Sequence, residues 1–177
     1  MCPGVSPHQA SLVNIAKKFG FKAIVFTADA PQLGTRENDE RNKFKMPENL
    51  SLGNFKGTVF EKFSDHEGSS MNMHNELLFD KTLTFEIIHW IKETADLPVL
   101  VKGILRPDDA AQCLENKADG IIISNHGGRQ LDTATSTLKQ VEPIRKEIGT
   151  KALLIAVSYT HLRAHETGRN LVCRRML

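Results

Sequence analysis

Four short apolar runs constrain this chain more than anything else in it: KAIVFTAD, LPVLVKG, DGIIIS and KALLIAV. They are rich in branched aliphatic residues and lack polar alternation, the pattern of strands buried on both faces. LPVLV begins about 22 residues before GIIIS, and GIIIS about 32 before ALLIAV, which is the spacing of successive βαβ units. A chain punctuated in this way is limited to a small set of parallel α/β architectures.

The segments between the runs support that reading. Residues 9–20, QASLVNIAKKFG, put Leu12, Ile15, Ala16 and Phe19 at helical spacing, and Gly20 stands where a C′ glycine closes a helix. In LTFEIIHWIKETAD, Thr84 is the expected cap and Ile87, Ile88, Trp90 and Ile91 the expected apolar side. Arg106-Pro107-Asp108-Asp109 opens a third helix, with proline at its first position and acids facing the dipole. TLKQVEPIRKEIG sets Leu138, Val141, Ile144 and Ile148 on one side, and Pro143 marks a first turn or a kink. From Ala30 to about Asp80 the chain is polar and irregular, the signature of a lid, a binding loop or a disordered stretch.

The order is therefore α-β-loop-α-β-α-β-α-β, which suits both a doubly wound sheet and a (β/α)8 barrel. The polar residues decide between them. Asp29, Lys102, Ser124 and His126 all fall at or just past the carboxyl ends of successive strands. In a barrel that gathers them around one mouth, where such folds keep their chemistry. A whole barrel takes roughly 250 residues, so four strands imply part of one: about four central βα units.

Composition narrows the function classes. With 177 residues, 40% hydrophobic and 25% charged, the chain can bury the core of one ordinary domain. A net charge of +2 gives no reason to expect nucleic acid or an anionic membrane surface as partner. No apolar run approaches the roughly 20 residues of a membrane helix, and MCPGVSPHQA lacks the pattern of a secretory signal. Cys2, Cys113 and Cys173 are odd in number and far apart, so they read as free thiols of a reducing compartment, not as metal ligands.

IIISNHGGRQLD, residues 121–132, carries the chemistry. His126 can act as a base near neutral pH, although a loop histidine is as often simply hydrogen-bonded to backbone. Gly127 and Gly128 allow a thin turn against a flat ligand, or just a βα turn. Arg129 presents a fork matched to a carboxylate, where many loop arginines are merely solvated. Lys102 ends a buried run, which is costly unless it meets an anion, lines a cavity or snorkels. Asp29 could orient His126 or cap a loop. Arg36, taken alone, is a surface charge.

SNHGGRQLD, LPVLVKGI and FTADAPQLGTRENDERNKF together resemble, in order and spacing, the FMN-dependent α-hydroxy-acid oxidases and dehydrogenases, the family that includes glycolate oxidase. The resemblance covers roughly residues 9–156 and implies an FMN-binding (β/α)8 barrel, with a lid-like loop at about 45–80. It implies His126 as the active-site base and Asp29 as its paired acid. It implies flavin contacts from Thr27, Lys102 and Ser124, and a substrate carboxylate held by Arg36 and Arg129 beside His126. The implied activity is FMN-dependent oxidation of an (S)-2-hydroxy acid to the 2-oxo acid, with oxygen or another electron acceptor. The implied setting is intracellular, cytoplasmic or peroxisomal, in a parent that is a homo-oligomer.

Two departures qualify this. The family's N-terminal strands have no counterpart here, and after ALLIAV the phosphate-gripping segment is replaced by SYTHLRAHETGRNLVCRRML. Residues 157–177 are read as a non-family, artefactual tail and residues 1–156 as the partial domain. The 177-residue chain alone is accordingly expected to be inactive or a poor catalyst. One competing reading is a non-catalytic fragment without cofactor, which predicts no bound flavin. Another is a Schiff-base lyase using Lys102, which predicts borohydride trapping of a keto acid on that lysine. A third makes the 45–80 loop a partner-binding module.

Overall fold

The computed structural model describes residues 7–31, 34, 37–43, 53 and 82–157. Two units are distinguished by their internal contacts, residues 1–29 with 82–177 and residues 30–81. The first contains α1 (Pro7–Lys18), β1 (Ile24–Thr27), α3 (Glu86–Ala95), β2 (Val99–Ile104), α4 (Pro107–Glu115), β3 (Gly120–Ile123), α5 (Thr137–Ile148) and β4 (Leu153–Ala156). In the second, α2 (Glu37–Arg41) carries an exposed Arg41–Glu37 ion pair of 3.0 Å. The lid-like loop of about 45–80, apart from Gly53, lies outside the described residues, as do Arg36 and the tail from 158 onward.

The strands form one sheet in the order β1-β2-β3-β4, every pair parallel. This sequential order separates the two architectures left open by the alternation. A doubly wound sheet reverses direction at a switch point to put helices on both faces. Right-handed crossovers that never reverse place every helix on the same face, as in a (β/α)8 barrel. The chain therefore forms four consecutive units of the barrel type.

The two faces of the sheet differ accordingly. Val99, Val101, Ile104, Ile121 and Ile123 point toward the helices and are buried with Ile87, Ile88, Ile91, Ala110, Cys113, Ile144 and Ile148. Fully burying an aliphatic side chain of this size contributes about 1.5–3 kcal/mol, so this layer holds the unit together. On the opposite face the register aligns Val25, Leu100, Gly120 and Leu153, then Thr27, Lys102, Ile122 and Ile155. Val25 and Leu153 there are about half exposed, at 51% and 52%.

Several local expectations hold. Gly20 has a φ of +73°, and the pair of bonds Gly20 N–H to Lys17 O and Phe21 N–H to Ala16 O closes α1 with a Schellman turn. Pro107 is the first residue of α4, and the Arg106 guanidinium binds the Asp108 carboxylate in its first turn. That contact holds Asp108 down at about 2. Pro143 lies inside α5, not at its start.

Three expectations need correction. Thr84 does not cap α3 with its side chain; Phe85 occupies the cap without a side-chain bond, and only the Thr84 carbonyl accepts, from Ile87 N–H. In α1 the expected inner stripe is turned outward: Leu12, Ile15 and Phe19 are exposed, and Val13 is the residue buried in the core. Leu138 of α5 is likewise exposed, while Thr137, Ile144 and Ile148 take the inner side. Periodicity shows where a helix is apolar, but burial depends on which flank meets a neighbour.

Candidate active site

The carboxyl ends of β1, β2 and β3 converge on one cluster. Past β1, the ladder continues one step through Ala28 N–H to Lys102 O at 2.8 Å, and Asp29 follows directly. Past β3 comes Ser124, almost completely buried, whose Oγ accepts the His126 N–H at 3.0 Å. Asn125 Oδ1 accepts from Gly127 N–H at 3.0 Å, closing the short 3-10 turn His126–Gly128. Within that turn His126 has a φ of +54°, and Gly127 and Gly128 have +67° and +71°. A left-handed histidine is uncommon and is held only where its surroundings determine it. Here two side-chain bonds to the turn backbone, from Ser124 and Asn125, supply that hold.

The result of this placement is one contact: His126 Nδ1 lies 2.9 Å from Asp29 Oδ1. An ionised carboxylate only accepts, so Nδ1 carries the hydrogen and donates it. In the neutral ring, Nε2 is then the nitrogen that bears the lone pair. The imidazole is 29% exposed and the carboxylate 14%, so the pair is shielded while the ring keeps access to a ligand. Asp29 Oδ2 is buried and has no hydrogen-bond partner among the described residues. A buried carboxylate with one oxygen unpaired is unfavourable for stability alone.

Thr27 and Lys102 lie side by side on the open face, paired in register, with Ile122 next in the same row. Lys102 is half-buried, and its ammonium makes no ion pair among the described residues. Arg129 follows the turn and is exposed; its backbone N–H bonds to His126 O at 3.3 Å, but its guanidinium has no ion-pair partner among the described residues. Lys102, inside β2, and Arg129, just past the turn, are thus two cations without an ion-pair partner among the described residues. Arg36 lies outside the described residues, so the expected pair of arginines is represented by Arg129 alone.

The turn-closing role of Asn125 emerges only from the structure, although an asparagine two residues before a glycine turn is a recognisable Asx signal. No group of three or more metal-ligating side chains occurs among the described residues.

The family model described as FMN-dependent dehydrogenase matches residues 3–158. The chain is 41% identical over 169 residues to a 2-hydroxyacid oxidase of Dictyostelium discoideum, covering 92% of this chain and 42% of that protein. It is 41% identical over 136 residues to glycolate oxidase 2 of Oryza sativa subsp. indica, covering 77% of this chain and 37% of that one. Among solved structures, mandelate oxidase with (S)-4-hydroxymandelic acid superposes with a TM-score of 0.76 at 33% identity, over 85% of this chain and 42% of that chain. The chain thus spans about two-fifths of the length of the relatives it matches. Because the match runs through all four strands and both members of the His126–Asp29 pair, the chain belongs to the FMN-dependent dehydrogenase family.

Proposed function

We propose that the protein of which these βα units are part oxidises an (S)-2-hydroxy acid to the 2-oxo acid with FMN as its redox cofactor. The observation that carries this reading is the 2.9 Å contact between His126 Nδ1 and Asp29 Oδ1, at the strand ends where Thr27 and Lys102 stand in register. The names of the relatives, a 2-hydroxyacid oxidase and a glycolate oxidase, support the substrate class.

The donors present suit a flavin. A half-buried ammonium without a counter-ion among the described residues, the neighbouring Thr27 hydroxyl and the Ser124 hydroxyl, which still has a proton to give, are donors for an electron-rich ring bearing carbonyls. Lys102, Thr27 and Ser124 would hold it, and when bound it supplies the two-electron acceptor. The Lys102 ammonium would stabilise negative charge on the bound ring.

His126 takes the proton of the reaction on Nε2, from the substrate hydroxyl or from its α-carbon; both routes need the same base in the same place. Asp29 fixes the tautomer and offsets the charge the ring acquires. Arg129 binds the substrate carboxylate through charge-assisted bonds. Oxygen or another oxidant completes the cycle in a homo-oligomeric parent. A peroxisomal setting is supported by the Arabidopsis thaliana relative named peroxisomal (S)-2-hydroxyacid oxidase, 42% identical over 135 residues.

The test is anaerobic mixing of the flavin-loaded protein with glycolate, (S)-lactate or (S)-mandelate. Bleaching of the flavin band is expected in the parent sequence, and loss of bleaching with retention of bound flavin in His126→Gln. Undiminished bleaching in that variant would overturn the assignment of the base.

A further inference from the structure

Asp29 follows β1 and His126 follows β3, and β2 lies between them. Adjacent strands are about 4.8 Å apart, so these two strand ends are separated by roughly 10 Å. A carboxylate from β1 can reach an imidazole beyond β3 only by crossing over the backbone of β2. The crossing point is Gly103. A Cβ placed on it would lie 2.4 Å from Asp29 Cβ, 2.4 Å from Asp29 Cγ and 2.8 Å from Asp29 Oδ1, the oxygen that holds His126. No real side chain can occupy that position while Asp29 stays where it is.

The backbone at Gly103 is shaped for this crossing. Its φ is +98°. The register of β2 against β3 breaks there, with Lys102 opposite Ile122 and Ile104 opposite Ile123. Gly103 is thus the extra residue of a bulge. One inserted residue lets Lys102 remain on the open face while Ile104 returns to the helix-packed face, where it is buried. The same residue therefore sets Lys102 and clears the path of Asp29.

We propose that Gly103 is a positioning residue: its missing side chain lets the Asp29 carboxylate pass over β2 and fix the tautomer of His126. This deepens the proposed function, in which His126 is the base. It is tested on the imidazole itself, so absent turnover and an incorrect role for Gly103 give different results.

The experiment is nitrogen-15 NMR of the histidine-labelled 177-residue chain, with the His126 ring assigned by its disappearance in His126→Gln. The parent sequence should show His126 as a single tautomer, protonated on Nδ1 and bare on Nε2. Asp29→Asn and Gly103→Ala should both lose that signature. Gly149→Ala should keep it: Gly149 also has positive φ, +59°, but an added Cβ meets nothing within 4 Å. Retention in Gly103→Ala, or equal loss in Gly149→Ala, would overturn the proposal. If Gly103→Ala fails to fold, the Asp29→Gly/Gly103→Ala double variant removes the clashing atoms. Its folding supports the proposal, and its failure where Asp29→Gly alone folds contradicts it.

Discussion

Each end of the sheet carries one carboxylate that ties strands together, and the two are built differently. At the amino end, Asp119 accepts from Lys92 Nζ at 2.7 and 2.6 Å and from Val99 N–H at 2.7 Å. Its own N–H donates to Val99 O, and its carbonyl accepts from Leu153 N–H. Both oxygens are satisfied, and α3, β2, β3 and β4 meet on one residue. At the carboxyl end, Asp29 is more deeply buried yet has a single bond, to His126, and its second oxygen is unpartnered among the described residues. A carboxylate that saturates its acceptors stabilises a fold; one that is buried half-satisfied beside a titratable ring is organised for chemistry. The same division runs through barrel enzymes, with stability at the bottom and reaction at the top.

The sharpest way to break this contrast is to neutralise each acid in turn. Asp29→Asn should slow hydroxy-acid reduction of the flavin by about 10²–10⁴-fold, the range for a general base and its orienting partner. Thermal unfolding should show stability unchanged within about 1 kcal/mol or raised, since a poorly satisfied buried charge is removed. Asp119→Ala should do the reverse. It leaves Val99 N–H and Lys92 without their acceptor and should cost about 1.5–3 kcal/mol in denaturant unfolding, while the His126 tautomer stays as it was.

A smaller effect comes from the packed layer between the two ends. Cys113 is fully buried, and desolvation, with a lesser contribution from the Asp109 charge, pushes its thiol up to about 12 from an ordinary 9.0. The raised value favours the neutral thiol in the folded chain, so its contribution is complete below pH 9 and is lost as pH rises from 9 toward 12. Stability measured by denaturant titration should fall over that window, and the fall should flatten in Cys113→Ala. The native thiol should also resist iodoacetamide at pH 8, where the unfolded chain reacts.

The layer was more legible in the sequence than the site. KAIVFT, PVLVKGI, GIII and LLIA announce buried parallel strands because both faces are apolar, and Gly20 and Pro107 mark helix ends through backbone constraints local to themselves. Strand order could not be read so directly, yet the clustering of Asp29, Lys102, Ser124 and His126 at strand ends already favoured the barrel. Leu12, Ile15 and Phe19 misled because an apolar stripe does not reveal whether anything faces it. Thr84 misled because a cap depends on one dihedral setting. The passage of Asp29 over Gly103 was hidden for another reason: it depends on the register of three strands, and a bulge of one residue decides it.

Asp29 and His126 act as one unit across β2. A double-mutant cycle on the rate of flavin reduction by hydroxy acid tests it most directly. Asp29→Asn, so damaging in the otherwise unmutated protein, should add no further loss in the His126→Gln background. Losses that multiply in the double variant would show two independent residues and contradict it.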